Sequence, residues 1–334
     1  MSDSNQERNK FWNYHPQLPL KFAPYYDRSF DLKASLIYAI KTWHPFNTQF
    51  LFLPLALVVW FYFTPSLERA AEFRFDWMFE IWLRNMVLIT AIVTPLHLWL
   101  HTFNKQEKDL RYDKADLGEK DKRFLFGDQL YDNVFLTLTS GVLFWTLWES
   151  FMLWAYANGV ATLITFESNP IWFIALLLFI PYWAIFFFDL QHRIMHSEFL
   201  YKHVHSWHHK NGSTGPWSGL AMHPVEHFVL MMDNILYLIV ASHPIHVIYN
   251  LMFHGIGAPT SHVGFESLKI GKHFRINMGD FYHQIHHRFF DINFGAERSP
   301  LDKWQDTFHD GTNEGHKRFL QRRKEIRRAR AKTV

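Results

Sequence analysis

Residues 171–196 read IWFIALLLFIPYWAIFFFDLQHRIMH. The run 171–188 carries no charge, and 18 residues of helix at ~1.5 Å each cover most of a ~30 Å hydrocarbon layer. The chain then meets Asp189, and His192 and His196 follow four residues apart. On a helix that spacing leaves two side chains ~40° apart on one face, so both imidazoles can converge on one metal. The stretch reads as a membrane helix that leaves the apolar layer carrying part of a metal site.

Three further apolar segments precede it, at about 46–63, 81–103 and 134–156. Aromatic residues make up 18% of the chain, with 34 Phe and 14 Trp, which together with these runs points to a membrane protein. Lys and Arg number six before the first segment, two between the first and second, seven between the second and third, and none between the third and fourth. Basic residues stay on the cytoplasmic side, so the N-terminus, the charged stretch 104–128 and the first histidine pair are expected there. A further apolar stretch, 228–258, is interrupted by Ser242-His243-Pro244. Halves of about 13 residues make ~20 Å of helix, short for a crossing, and read as a re-entrant hairpin. Two tilted or full spans give the same sidedness, so that option stays open.

The expected fold is therefore an all-α integral membrane protein with four transmembrane helices, a re-entrant helical hairpin and a cytoplasmic histidine-rich helical cap. One catalytic unit, 46–312, lies between an N-terminal cytoplasmic segment, 1–45, and a basic tail, 313–334. The tail holds nine Lys or Arg over 317–332 and is expected along an anionic membrane surface, not on nucleic acid. The first 20 residues contain no apolar run, so no cleavable signal peptide is expected. The chain has no cysteine, which excludes disulfides, thiolate-ligated haem, cysteine-bound iron–sulfur clusters and a cysteine nucleophile.

Of the 22 histidines, 16 fall within 192–287. Besides His192/His196 there are two triplets, His205/His208/His209 and His283/His286/His287, each spaced i, i+3, i+4. Adjacent histidines on a helix diverge by ~100°, so each triplet suits two neighbouring metals better than one. Eight histidines also exceed the four ligands of one structural zinc. Imidazole suits iron, zinc, copper and nickel alike. A polar metal site beneath a membrane implies an apolar substrate, and redox-active iron with dioxygen gives such a site a task on an unactivated C–H bond.

The order HxxxH, HxxHH, HxxHH among four hydrophobic spans resembles the fatty acid hydroxylase and sterol desaturase superfamily of membrane di-iron oxygenases, over about residues 130–312. His223-Pro224-Val225-Glu226, the segment from Phe253-His254 to Ser261-His262-Val263-Gly264, and Asn293-Phe294-Gly295 add to the likeness. The resemblance implies ligands at His192, His196, His205, His208, His209, His283, His286 and His287, with His262 as a ninth. It implies two ferrous ions, dioxygen as co-substrate, no haem, and a lipid or sterol that is hydroxylated or desaturated. It also implies electrons from a separate donor, a cytochrome b5-like protein or a ferredoxin with its reductase. The His-Pro-Val-Glu and Asn-Phe-Gly elements look closer to the sterol desaturase-like members. The topology fits a bacterial inner membrane or the endoplasmic reticulum.

His223 and His254 are further candidate ligands or supporting groups, and Glu226, Asp189 and Asp280 are candidates for orienting a ligand's second N–H. His97 and His101, also four apart, read as interfacial packing, and His203, His243, His246 and His273 as structural or interfacial. Two other functions compete. A membrane zinc hydrolase acting on a lipid would use similar ligands to activate water, with Glu226 as the obvious carboxylate base. A haem or electron carrier would place single facing histidines deep within spans.

Overall fold

The computed structural model describes residues 12–26, 30–42, 48–271, 273–296 and 299–333. Its helices are α1 (Leu32–Thr42), α2 (Thr48–Phe63), α3 (Phe75–Thr102), α4 (Gln129–Ala157), α5 (Pro170–Met195), α6 (198–209), α7 (Pro224–Leu230), α8 (Pro244–Met252), α9 (Phe281–Phe289) and α10 (Asn313–Thr333). One antiparallel hairpin, β1 (Ser267–Ile270) with β2 (Phe274–Asn277), pairs Ser267 with Asn277 and Ile270 with Phe274.

Among the described residues, α3, α4 and α5 are long and apolar enough to cross a membrane. Each starts where local chemistry allows. Asn169 caps α5 by accepting the Trp172 N–H at 3.2 Å, with Pro170 in the first turn, and Asp128 caps α4 by accepting from Leu130 and Tyr131. Exposed Ile171, Leu178, Phe179, Phe186 and Ile194 on α5 need an apolar solvent outside the protein. The helix continues past the apolar run to Met195, which carries His192 out of it, and His196 ends it.

The first expected span is described in part. Within 46–63, residues 46 and 47 lie outside the described residues, and α2 has 16 residues, ~24 Å, before the chain bends toward Pro65. Phe52 on α2 packs on Phe253 with ring centres 5.4 Å apart, and Trp60 packs on His243 at 4.7 Å, so α2 runs alongside α8 in the opposite direction.

The stretch 228–258 is broken where the sequence interrupts it. Helix α7 gives way to a 3-10 turn at Met232–Ile235, a last turn ends at Ile239, and α8 restarts at Pro244 with His243 as its cap. The bend meets the α4–α5 connection: the Ser242 N–H donates to Thr162 O at 3.0 Å, and the Ile164 N–H to Ser242 O at 2.9 Å. Trp172 on the first turn of α5 donates its indole N–H to Ala241 O at 2.8 Å. The two arms therefore run from the histidine end to the opposite ends of α4 and α5. All nine residues of α8 are buried, packed by α2, α4 and α5. Protein on every side, not lipid, is what permits the broken backbone at the bend.

The largest core cluster lies between these helices, around Trp145, Met152, Ile248, Tyr249 and Met252. A smaller one, with Trp12, Tyr112, Phe281 and Ile285, clamps α9 under the N-terminal segment, where the Asn13 N–H donates to Tyr112 O at 2.7 Å.

Candidate metal centre

Four pieces of chain meet where α5 ends. His192 and His196 stand on its last turn, and His205, His208 and His209 stand on α6, whose middle is a π-turn at Tyr201–His205. His283, His286 and His287 stand on α9, whose first turn is capped by Asp280 accepting the His283 N–H at 3.1 Å. His262 follows the short helix Ala258–Ser261.

Their ring nitrogens form two groups, His192, His196, His205, His209 and His286 in one, and His208, His262, His283 and His287 in the other. Within each group the ligating atoms lie within 4.8 Å of one another. Each triplet divides between them. His205 and His209 face the first group while His208 faces the second, and His283 and His287 face the second while His286 faces the first. The ~100° step between neighbours on a helix, doubled across two helices, produces this split.

The nitrogens have the spacing of a coordination shell. His192 and His205 Nε2 are 2.9 Å apart, His196 Nε2 lies 3.1 Å from both His209 and His286 Nε2, and His262 and His287 Nε2 are 3.0 Å apart. Two ~2.1 Å metal–nitrogen bonds at right angles separate their nitrogens by ~3.0 Å. Both nitrogens of buried His283, and Nδ1 of His209 and His287, have no protein partner. Such a set of buried, convergent donors fits a pair of metal ions. Burial holds His196, His205, His208, His209, His283, His286 and His287 below the ordinary imidazole range and brings His262 down to about 4. They therefore stand neutral, as ligands must.

Groups behind the rings fix their orientation. His192 Nδ1–H donates to Phe294 O at 2.5 Å, His205 Nδ1–H to Glu226 Oε1 at 2.5 Å, His286 Nδ1–H to Ile292 O at 2.7 Å and His262 Nδ1–H to Ala258 O at 2.8 Å. Each bond leaves Nε2 as the lone-pair donor pointing inward. Burial also pushes the Glu226 carboxyl well above its usual range.

The other candidates lie elsewhere. His223 is only part-buried, packs edge-on against Trp207 and caps α7 by accepting the Val225 N–H at 3.2 Å. His254 points away and meets Asp233 Oδ2 at 2.9 Å. Asp189 touches no ligand histidine. It accepts from Arg193 at 2.8 Å and from Ser299, beneath the loop that holds Phe294. His97 and His101 stack on each other, and His101 bonds Val263 O at 2.9 Å.

Sequence reading missed Asp302. Fully buried, it accepts the Phe294 and Gly295 N–H groups at 3.1 and 2.9 Å, Arg193 at 2.7 Å and the Tyr282 hydroxyl at 2.8 Å. It thereby ties the loop behind His192 to the helix bearing His283, and no local spacing marks it out. Gly295 belongs to the same knot, because a Cβ there would sit 2.5 Å from Asp189 Oδ2.

A cavity of about 1140 Å³ opens onto both groups through His192, His205, His208, His262 and His283. Its walls near them are apolar, with Ala184, Ile185, Phe188, Leu230 and Phe253. A second, almost wholly apolar cavity of about 530 Å³ between α2, α3 and the β-hairpin shares Phe52, Thr260 and Met278 with it.

Residues 173–307 match the fatty acid hydroxylase family. The chain is 32% identical over 130 residues to a putative Delta(7)-sterol-C5(6)-desaturase 2 of Arabidopsis thaliana, covering 37% of this chain and 42% of that protein. It is 29% identical over 164 residues to lathosterol oxidase of Rattus norvegicus, covering 48% and 50%, and 28% over 137 residues to sphinganine C4-monooxygenase 2 of Arabidopsis thaliana, covering 40% and 51%. The chain thus spans about half the length of the curated relatives it matches. No solved structure matches it. The match to the fatty acid hydroxylase family thus falls on residues 173–307, with the histidine pair and the two triplets inside them.

Proposed function

We propose that this protein is an oxygen-dependent membrane oxidoreductase that hydroxylates or desaturates an unactivated C–H bond of a lipid or sterol. The observation that carries the reading is a pair of adjacent all-imidazole groups opening onto one apolar-walled cavity. The names of the relatives, a putative sterol desaturase and a sphinganine monooxygenase, support it.

Two iron ions are the cofactor, one held by His192, His196, His205, His209 and His286, the other by His208, His262, His283 and His287. Bound there, the iron pair supplies dioxygen activation and removal of hydrogen from carbon. In hydroxylation, a C–H bond, dioxygen, two electrons and two protons give an alcohol and water. In desaturation, two neighbouring C–H bonds give an alkene and two waters for the same input. The electrons come from a separate cytochrome b5-like or ferredoxin-type donor.

The residues divide the work. Glu226 and the carbonyls of Phe294, Ile292 and Ala258 hold the imidazoles in register. Phe188, Ile185, Leu230 and Phe253 place a hydrocarbon against the histidines and keep water from it. Glu226 gives Oε1 to His205 while Oε2 has no hydrogen-bond partner and the residue lines the cavity, so the zinc-hydrolase alternative is separated by the oxygen dependence of turnover. The catalytic unit spans 46–312, with its histidine face on the cytoplasmic side of a bacterial inner membrane or endoplasmic reticulum.

The test is incubation of purified, iron-loaded protein with a membrane lipid extract, a reductant system and isotopically labelled dioxygen. A hydroxylated lipid carrying the label, or a new alkene formed only with oxygen, is the expected result. Oxygen-independent turnover supported by zinc would overturn it.

A further inference from the structure

The cavity changes character from floor to rim. Its floor is the buried histidines, and its exposed rim carries Lys21, Lys41 and Arg275. These come from three separate elements, the N-terminal segment, the last turn of α1 and strand β2. None of the three forms an ion pair with a described residue.

Three acidic groups share the lining, and each accepts a hydrogen bond from another group, Glu226 from His205. Glu266 accepts the Tyr112 hydroxyl at 2.7 Å, and Asp280 caps α9. Lys21, Lys41 and Arg275 thus put three exposed cations on the lining of a cavity that also carries Ala184, Ile185, Phe188, Leu230 and Phe253. An anionic group in the cavity would be attracted by them.

We propose that the substrate is an amphiphile with an anionic oxygen head group, a phosphate or a carboxylate. Its head sits among Lys21, Lys41 and Arg275, and its chain runs past Phe188 to the histidines. This rests on the lipid-oxidation reading above and narrows it: an uncharged sterol or a cationic sphingoid base leaves the rim unmatched. Exposed ion pairs are individually weak, so three together favour the anion by about tenfold.

The test uses full-length, iron-loaded protein in nanodiscs of zwitterionic phosphatidylcholine, without oxygen so that nothing turns over. Binding of decyl phosphate, decanoate, decanol and decylamine is compared, since the chain is constant and only the head changes. The phosphate or the carboxylate, or both, should bind about tenfold more tightly than the alcohol, and the amine most weakly. The preference should shrink with added salt.

The triple charge reversal Lys21→Glu, Lys41→Glu, Arg275→Glu should abolish that preference while the protein keeps its iron content, which reports that the site remains folded. A triple variant that keeps its iron and its preference for the anion overturns the proposal. Equal binding of all four heads to the unaltered protein overturns it too and leaves the lipid reading standing, whereas no binding of any chain overturns both.

Discussion

Glu226 Oε1 lies 2.5 Å from His205 Nδ1, and both residues are at least 97% shielded from solvent. The carboxyl therefore acts through the ring and makes the opposite nitrogen a better ligand. Glu226→Ala should lower iron affinity or activity by about 10- to 100-fold, and Glu226→Gln, which keeps an acceptor, by less. Iron retained after dialysis against a chelator measures the difference. Equal retention in all three proteins would deny Glu226 this role.

The split triplets make neighbouring residues serve different groups. His208→Ala and His287→Ala should weaken the four-histidine group, whereas His209→Ala and His286→Ala should weaken the five-histidine group. All four should abolish product while the protein still inserts. Stepwise iron titration followed by optical or Mössbauer spectroscopy should give two distinct classes of variant. His15→Ala, at an exposed position, and His316→Ala, outside both groups, should leave iron binding and turnover near normal.

The metal-free protein should be acid-labile. Eight buried imidazoles have folded-state values lowered by burial, so the unfolded chain binds more protons below about pH 6.5. Their contribution is fully present above that pH and is lost as the pH falls toward about 4, where His262 titrates in the folded state. Glu226, shifted upward, works in the opposite sense but is one group against eight. Thermal melts of the metal-free protein between pH 8 and pH 4 should show a falling midpoint below about 6.5. A flat profile would contradict the burial of neutral rings.

Away from the site, Arg84 on α3 and Glu149 on α4 form an ion pair inside the bundle, with side-chain exposures of 9% and 1%. Removing one partner strands a buried charge, at a cost of about 3–5 kcal/mol. Glu149→Leu should therefore lower the melting temperature in micelles sharply, and the double change Arg84→Leu/Glu149→Leu should recover most of the loss. A double variant as unstable as the single one would show that the pair does more than neutralise itself.

The histidine spacings and the apolar run ahead of His192 made much of this architecture legible in the sequence, because both are local. A spacing of four puts two rings on one face wherever a helix forms, and α5 does form there. What spacing cannot carry is contact between distant residues. The acceptor for His192 is the carbonyl of Phe294, 102 residues away, and the partner of His254 is Asp233, on the other arm of the interrupted stretch. Asp189 sits one turn before His192 and suggests itself as that acceptor, yet it is engaged by Arg193 and Ser299 instead. The second arm of 228–258 is longer than its apolar residues suggest. The helical backbone continues through His262's neighbours to Ser261, and protein packing replaces the lipid contact that hydropathy assumes.

The proposed chemistry depends on nine imidazoles holding two iron ions. Elemental analysis of protein reconstituted with ferrous iron under anaerobic conditions tests it most directly. Two irons per chain are expected, falling toward one when His283→Ala, whose ring nitrogens have no other partner, removes a donor from the four-histidine group. One iron or none in the unaltered protein, or two irons undiminished in the variant, would contradict the account.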